Sequence, residues 1–218
     1  MAARAQSAEP WIPAHPTLQS LITAARKCEG CDLYKAATQT VFGEGQTGAR
    51  LFLIGEQPGD SEDRQGRPFV GPAGRILDRA LEDAGIDRAD AYVTNAVKHF
   101  RFEERGKRRI HKKPSSVQIV ACRPWLEAEL EVIKPDVVVC MGATAVESLA
   151  GREVRVLRDR GKLLKTALAK GLVVTVHPSA LLRLPDRSQF NAEYDLFVRD
   201  LAAARKYAAQ LGMRTAGR

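Results

Sequence analysis

Four short apolar runs, at residues 51–54, 91–94, 136–141 and 172–176, decide most of what this chain can fold into. Each is too short for a helix and reads as a strand buried on both faces. Helical periodicity occupies the intervals: 17–28 ahead of the first run, 73–84 after it, 115–133 before the third, 143–149 after it, and 191–211 at the end. Strands that alternate with helices pair in parallel, because parallel neighbours need crossover connections and the crossover helices cover both sheet faces. The expected fold is therefore α/β, a three-layer α/β/α sandwich around a central four-stranded parallel sheet. At 218 residues and 44% hydrophobic, the chain can close one core without disulfides. A single domain is expected over 17–211, between a flexible lead-in at 1–16, which carries three prolines, and a flexible tail at 212–218. There is no internal repeat.

Charge narrows the partners. Lys and Arg number 34 against 26 acidic residues, and the net +8 suits a polyanion such as nucleic acid. No run approaches the roughly 20 apolar residues that span a bilayer, and the N-terminus lacks a signal-peptide core. A soluble cytoplasmic protein with no membrane partner is expected, monomeric because nothing reads as a coiled-coil seam. In a reducing compartment its four cysteines stay thiols or bind metal.

Polar clusters follow three of the strands: GEQPGD at 55–60, residues 95–99, and HPS at 177–179. Ligands of open α/β sheets bind beyond the carboxyl ends of the strands, so these clusters should converge on one crevice. No complete G-x-G-x-x-G or P-loop pattern is present, which argues against a flavodoxin-like nucleotide-binding protein. Cys28 and Cys31 form a C-x-x-C pair, which by itself is equally a redox motif or half of a zinc site. Cys122 lies far along the chain. Cys140, inside the run VVVC, is expected in the core as a small hydrophobe. His99 can complete a set of four, since imidazole replaces thiolate on iron in some clusters. The stretch 101–113, RFEERGKRRIHKK, has seven basic residues and two acidic ones. Alone it is a solvated charge run or a phosphate-hugging loop.

Taken together, these motifs resemble the iron–sulfur uracil-DNA glycosylases of family 4, over roughly residues 17–205. That family has an early C-x-x-C, a GEGPG-type first motif, a strand-end N-x-x-K followed by a cysteine, a further cysteine, and HPS. Here they stand as Cys28 and Cys31, GEQPG at 55–59, Asn95 to Lys98, Cys122, and His177 to Ser179. Gln57 replaces the middle glycine, His99 stands where the third cysteine is usual, and KRRIH at Lys107 to His111 is an added basic segment. These three departures resemble the UdgX branch.

The resemblance implies a [4Fe–4S] cluster held by Cys28, Cys31, His99 and Cys122, and a uracil-containing DNA partner, single-stranded or double-stranded. A base must leave the duplex to be reached, and a pocket must then read its polar edge. The amide of Asn95 suits the adjacent N3–H and O4 of uracil. Phe69, in GRPFVGPAG, stacks on the base, and Gly55 and Gln57 supply backbone donors near it. Bond cleavage leaves positive charge on the sugar and negative charge on the base. Glu56 and Asp60 are the expected carboxylates, and His177 contributes from the facing loop. The UdgX resemblance implies further that His111 attacks C1′ and leaves the protein covalently attached to DNA. Glu56 is expected to accept a hydrogen bond from one ring nitrogen of His111 and leave the other free for the sugar, with Gln57 and Arg109 holding the loop. Lys107, Arg108, Lys98 and Ser179 are expected on DNA, with Arg183 beside them. Trp11 and Trp125 are read as packing residues. Two other readings remain: a multiple-turnover family 4 enzyme that releases an abasic site, and a non-catalytic iron–sulfur protein that binds DNA or senses redox state.

Overall fold

The computed structural model describes residues 7–151 and 153–216, with side chains through Gly212. In chain order the elements are α1 (Leu18–Ala25), β1 (Leu51–Gly55), α2 (Asp60–Gln65), α3 (Pro72–Asp83), β2 (Ala91–Asn95), β3 (Phe102–Arg105), β4 (Arg108–His111), α4 (Ser116–Ile133), β5 (Val137–Met141), α5 (Ala143–Leu149), α6 (Val156–Asp159), β6 (Gly171–Thr175), α7 (Pro178–Leu181) and α8 (Arg187–Ala216). The four expected strands form one parallel sheet in the order β2-β1-β5-β6. The α/β expectation agrees with this architecture.

Period-two alternation divides the sheet residues between two cores. Leu51, Leu53, Val93, Val139 and Val173 face α3 and α8, where they meet Leu77, Leu81, Phe197 and Leu201. Phe52, Ile54, Tyr92, Val138 and Val174 face the other way, toward Leu126, Leu130 and Ile133 of α4 and Val146 of α5. Cys140 belongs to this second core and is fully buried. A third cluster joins α1 to α4 and contains Cys28, Cys31, Cys122 and Trp125.

Local chemistry sets the helix ends. Ser115 Oγ accepts from the Gln118 N–H while Gln118 Oε1 accepts from the Ser115 N–H, a capping box that starts α4. Asp186 Oδ1 accepts from the Gln189 N–H, so α8 begins before the expected residue 191. At its other end α8 continues to Ala216, through most of the tail expected to be flexible. The lead-in is likewise packed from residue 8. Ala8 is buried, its N–H donates to Ala121 O at 2.7 Å, and Trp11 lies against the cysteine cluster. Residues 1–6 and 217–218 of the two expected flexible ends lie outside the described residues.

The largest departure is the basic stretch expected to be a loop. It is an antiparallel hairpin, β3–β4, turned by Gly106 and Lys107, in which Phe102 pairs with His111 and Glu104 with Arg109. Alternation then puts Phe102, Arg109 and His111 on one face. Arg109 lies over the rings of Phe100 and Phe102, 5.4 and 5.0 Å from their centroids, which fastens that face to the domain.

Candidate active site

The carboxyl ends of all four parallel strands meet at two adjoining cavities of about 460 and 350 Å³. Gln57, His111, His177, Ser179 and Arg183 line both. The first also has Phe69 and Asn95, and the second has Glu56 and Thr144.

At the floor of the first cavity, Gly55 ends β1. A Cβ there would come 2.4 Å from Asn95 Oδ1 and 2.6 Å from Phe69 Cζ, so the absence of a side chain lets both residues close over the strand end. Phe69 has φ 57°, a left-handed conformation costly for a bulky residue, and its ring lies 5.9 Å from that of His177. Asn95 is 3% exposed, and among the described residues its side-chain amide has no hydrogen-bond partner, which leaves it available to a ligand.

His177 is held as a neutral donor. The Ser179 N–H donates to its Nδ1 at 3.2 Å and Ser179 Oγ lies 2.8 Å from the same atom, so the ring proton belongs on Nε2. Burial pushes its pKa down to about 4, with the charges of His111 and Arg183 acting in the same direction. Ser179, expected on DNA, is thus engaged with this histidine and with Arg183, whose Nη1 lies 3.4 Å from its hydroxyl.

His111 ends β4 at the boundary of the two cavities. Gln57 fixes its surroundings by acting as one more rung of the hairpin: Oε1 accepts the Arg101 N–H at 3.0 Å, and Nε2 donates to Arg101 O at 3.1 Å and Lys112 O at 3.0 Å. A glycine at this position has no such side chain. Gln57 Nε2 also lies 2.9 Å from His111 Nε2. Burial lowers the His111 pKa, Glu56 opposes that shift, and Arg183 adds to it. Glu56 Oε1 faces the same Nε2 at 3.5 Å, too long for a hydrogen bond. The hydrogen bond expected from a ring nitrogen of His111 to Glu56 is not closed at this distance, and carboxylate and amide face the same nitrogen.

Asp60 lines the first cavity, but both its oxygens are committed, to Arg109 Nε at 2.5 Å and Arg64 Nε at 2.9 Å. These pairs hold its pKa down, Arg64 contributing most. Through Arg109 it anchors the hairpin. Arg109 also donates to Asp63 Oδ2 at 2.6 Å, and fully buried Asp63 accepts the Thr38 N–H as well. Lys107 and Arg108 stand exposed at the hairpin tip. Lys98, expected on a phosphate, is 1% exposed. Its Nζ donates to Glu129 Oε2 at 2.5 Å, Thr94 Oγ1 at 2.6 Å and Asn95 O at 2.9 Å, so it is a core ion pair with no route to DNA. The expectation failed because β2 turns inward after Asn95 and carries Lys98 behind the sheet end.

Thr144, Asp63, Thr38 and Glu62 escaped the sequence reading. Glu62 gave the clearest signal, since its carboxylate three residues into the turn after Gly59 is a capping position. It accepts the Gly59 N–H at 3.1 Å and the Gly71 N–H at 2.7 Å, tying the first motif to the Phe69 loop.

The cysteines divide three to one. Cys122 and Trp125 share one face of α4, and Trp125 Nε1 donates to Cys28 Sγ at 3.2 Å. The Lys98 N–H donates to Cys122 Sγ at 3.3 Å and the Gly30 N–H to Cys28 Sγ at 3.4 Å. Buried thiols ringed by N–H donors suit a polynuclear cluster. Among the described residues no three His, Cys, Asp or Glu side chains sit close enough to hold a single ion. A cubic cluster spreads its ligands farther apart than one ion does. His99 is buried, with Nε2 2.9 Å from Thr40 Oγ1. Cys140 belongs to a different core and cannot join them.

A four-stranded parallel sheet whose strand ends open onto a pocket lined by Phe69, Asn95, His111 and His177 defines an α/β domain with its candidate site at the carboxyl edge of the sheet. Comparison with known proteins gives the family. Residues 42–202 match the family model described as the uracil DNA glycosylase superfamily, and the chain belongs to that superfamily. It is 39% identical over 159 residues to a type-4 uracil-DNA glycosylase of Thermotoga maritima, covering 72% of this chain and 79% of the relative. To a type-4 uracil-DNA glycosylase of Pyrobaculum aerophilum it is 35% identical over 188 residues, 83% of this chain and 92% of the relative. Another, from Archaeoglobus fulgidus, is 32% identical over 186 residues, 82% and 88% of the two chains. Among the described residues no helix is long and apolar enough to cross a membrane.

Proposed function

We propose that this protein excises uracil from DNA and is then captured on the resulting sugar through His111. The observation that carries the reading is the position of His111 Nε2, 2.9 Å from Gln57 Nε2 and 3.5 Å from Glu56 Oε1 where the two cavities meet.

The flipped uracil enters the first cavity, stacks against Phe69 and is read by the Asn95 amide, whose donor and acceptor match N3–H and O4. The C1′–N1 bond breaks with its electron pair on the base. His177, protonated only on Nε2, donates a hydrogen bond to the departing anion, and Glu56 stabilises the cationic sugar. The Nε2 lone pair of His111 then forms the bond to C1′, and the Nδ1 proton passes to solvent. A nucleophile already positioned beside the cation outcompetes free water. Lys107 and Arg108 at the exposed hairpin tip and Arg183 at the pocket rim meet phosphates.

Cys28, Cys31, Cys122 and His99 would hold a [4Fe–4S] cluster, which when bound locks α1 and the segment after β2 to α4. The chain's own N–H donors to the cysteine sulfurs fit that role.

The test mixes purified protein with a uracil-containing single-stranded oligonucleotide, boils it in denaturing detergent and compares it on a gel with His111→Ser. A boiling-resistant protein–DNA band in the wild type, replaced by an abasic product in the variant, is the expected result. Free uracil and an abasic site with no band in the wild type would make the protein a conventional multiple-turnover glycosylase.

A further inference from the structure

The turn after β5 carries no recognised motif, yet it reaches the centre of the site. Gly142 has φ +89°, its N–H donates to Thr175 O at 2.8 Å, and a Cβ on it would come 2.9 Å from the Cβ of His177. The same turn that seats the His177 loop therefore starts α5 and points Thr144 back toward β1. Thr144 is 1% exposed, and its hydroxyl donates to Glu56 Oε2. Among the described residues no other side-chain hydrogen bond restrains the Glu56 carboxylate, whose remaining oxygen is the one facing His111. Lys113 and Arg183 line the same cavity and offer alternative partners to a carboxylate free to swing.

We propose that Thr144 is a positioning residue for the reaction, holding Glu56 Oε2 so that Oε1 stays beside the His111 nitrogen and the sugar carbon that becomes cationic. The inference rests on the role given to Glu56 above. A carboxylate stabilises developing charge only if its place is set before the charge appears, and a single buried hydroxyl sets it here. Valine has nearly the shape of threonine without the donor; serine keeps the donor without the methyl.

The experiment follows capture of a uracil-containing single-stranded oligonucleotide under single-turnover conditions for wild type, Thr144→Val, Thr144→Ser, Glu56→Gln and the Glu56→Gln/Thr144→Val double variant. Thr144→Val should be slower by about tenfold at saturating DNA, with the half-saturating DNA concentration unchanged and serine restoring the rate to within about threefold. In the Glu56→Gln background the same change should cost less than about twofold, because the two residues act as one unit. Capture by Thr144→Val at the wild-type rate, or an effect that multiplies in full onto Glu56→Gln, overturns the proposal. A wild type that gives no adduct defeats the capture reading instead. The five proteins are then compared by the rate of uracil release, where Glu56 has the same electrostatic task and the same pattern is required.

Discussion

Gln57 Nε2 lies 2.9 Å from His111 Nε2 while Gln57 Oε1 accepts the Arg101 N–H at 3.0 Å, so one side chain both closes the end of a hairpin and orients its histidine. The first motif and the basic insertion thereby become a single device. Gln57→Ala removes the rung and lets the hairpin end move. Capture should slow by about 10–100-fold as the near-attack geometry is lost, with abasic product accumulating on the gel in place of the adduct. An undiminished adduct would mean that Arg109 alone holds the hairpin.

Protonation of His111 removes its lone pair, and burial moves that event below the ordinary histidine value of 6.5. Capture rate should be flat near pH ~8 and fall on acidification with a midpoint below 6.5. Stability follows a related course through His177. Its folded pKa of about 4 lies below the ordinary histidine value of 6.5, so between those values the unfolded chain binds the extra proton. Stability should therefore decline as pH falls from 6.5 toward 4 and be fully present above that window. Chemical denaturation of wild type and His177→Gln across this range measures the difference, and the variant should lose less.

Lys98 and Glu129 are 1% and 0% exposed in their side chains, and their ion pair is fully hydrogen-bonded by Tyr92, Thr94 and the Asn95 carbonyl. Lys98→Met strands the Glu129 carboxylate and should cost about 3–5 kcal/mol of stability, visible as a large drop in Tm. Lys107→Ala, at the exposed hairpin tip, should leave Tm nearly unchanged and lower the salt dependence of DNA binding by about one counterion. A stable Lys98→Met protein with the reduced salt dependence would reverse this assignment.

Cys122 sits among thiols and N–H donors, whereas Cys140 is packed against Phe52, Ile54 and the α4 leucines. Iron content and visible absorbance after anaerobic purification should fall sharply in Cys122→Ser and persist in Cys140→Ser. Equal loss in both variants would mean that Cys140 belongs to the cluster.

The sheet was legible because each of its strands is a short apolar run flanked by turn residues, and such a run has few other ways to bury both faces. The site was legible where residues lie at strand ends: Glu56, Asn95 and His177 arrive in one crevice once the strands are parallel. Basic composition concealed the hairpin. The run 101–113 looks solvated until the alternation of Phe102 and of Arg109 with His111 is set against a two-residue turn at Gly106 and Lys107. Lys98 was misplaced for the complementary reason. A lysine reads as a surface residue unless its buried partner is known, and Glu129 lies 31 positions away.

The amino-acid sequence alone determined the alternation of strands and helices, the strand-end positions of the polar motifs, and which cysteine is core, because these depend on local periodicity and on contacts a residue makes through its own element. Only the tertiary structure decided that Lys98 is an internal counterion, that Asp60 and Asp63 anchor Arg109, that Gln57 and Glu56 meet the same nitrogen of His111, and that Thr144 reaches Glu56. Each of these depends on two side chains from distant elements coming within hydrogen-bond range, and a hydrogen bond weakens steeply over distances and angles that no spacing along the chain can specify.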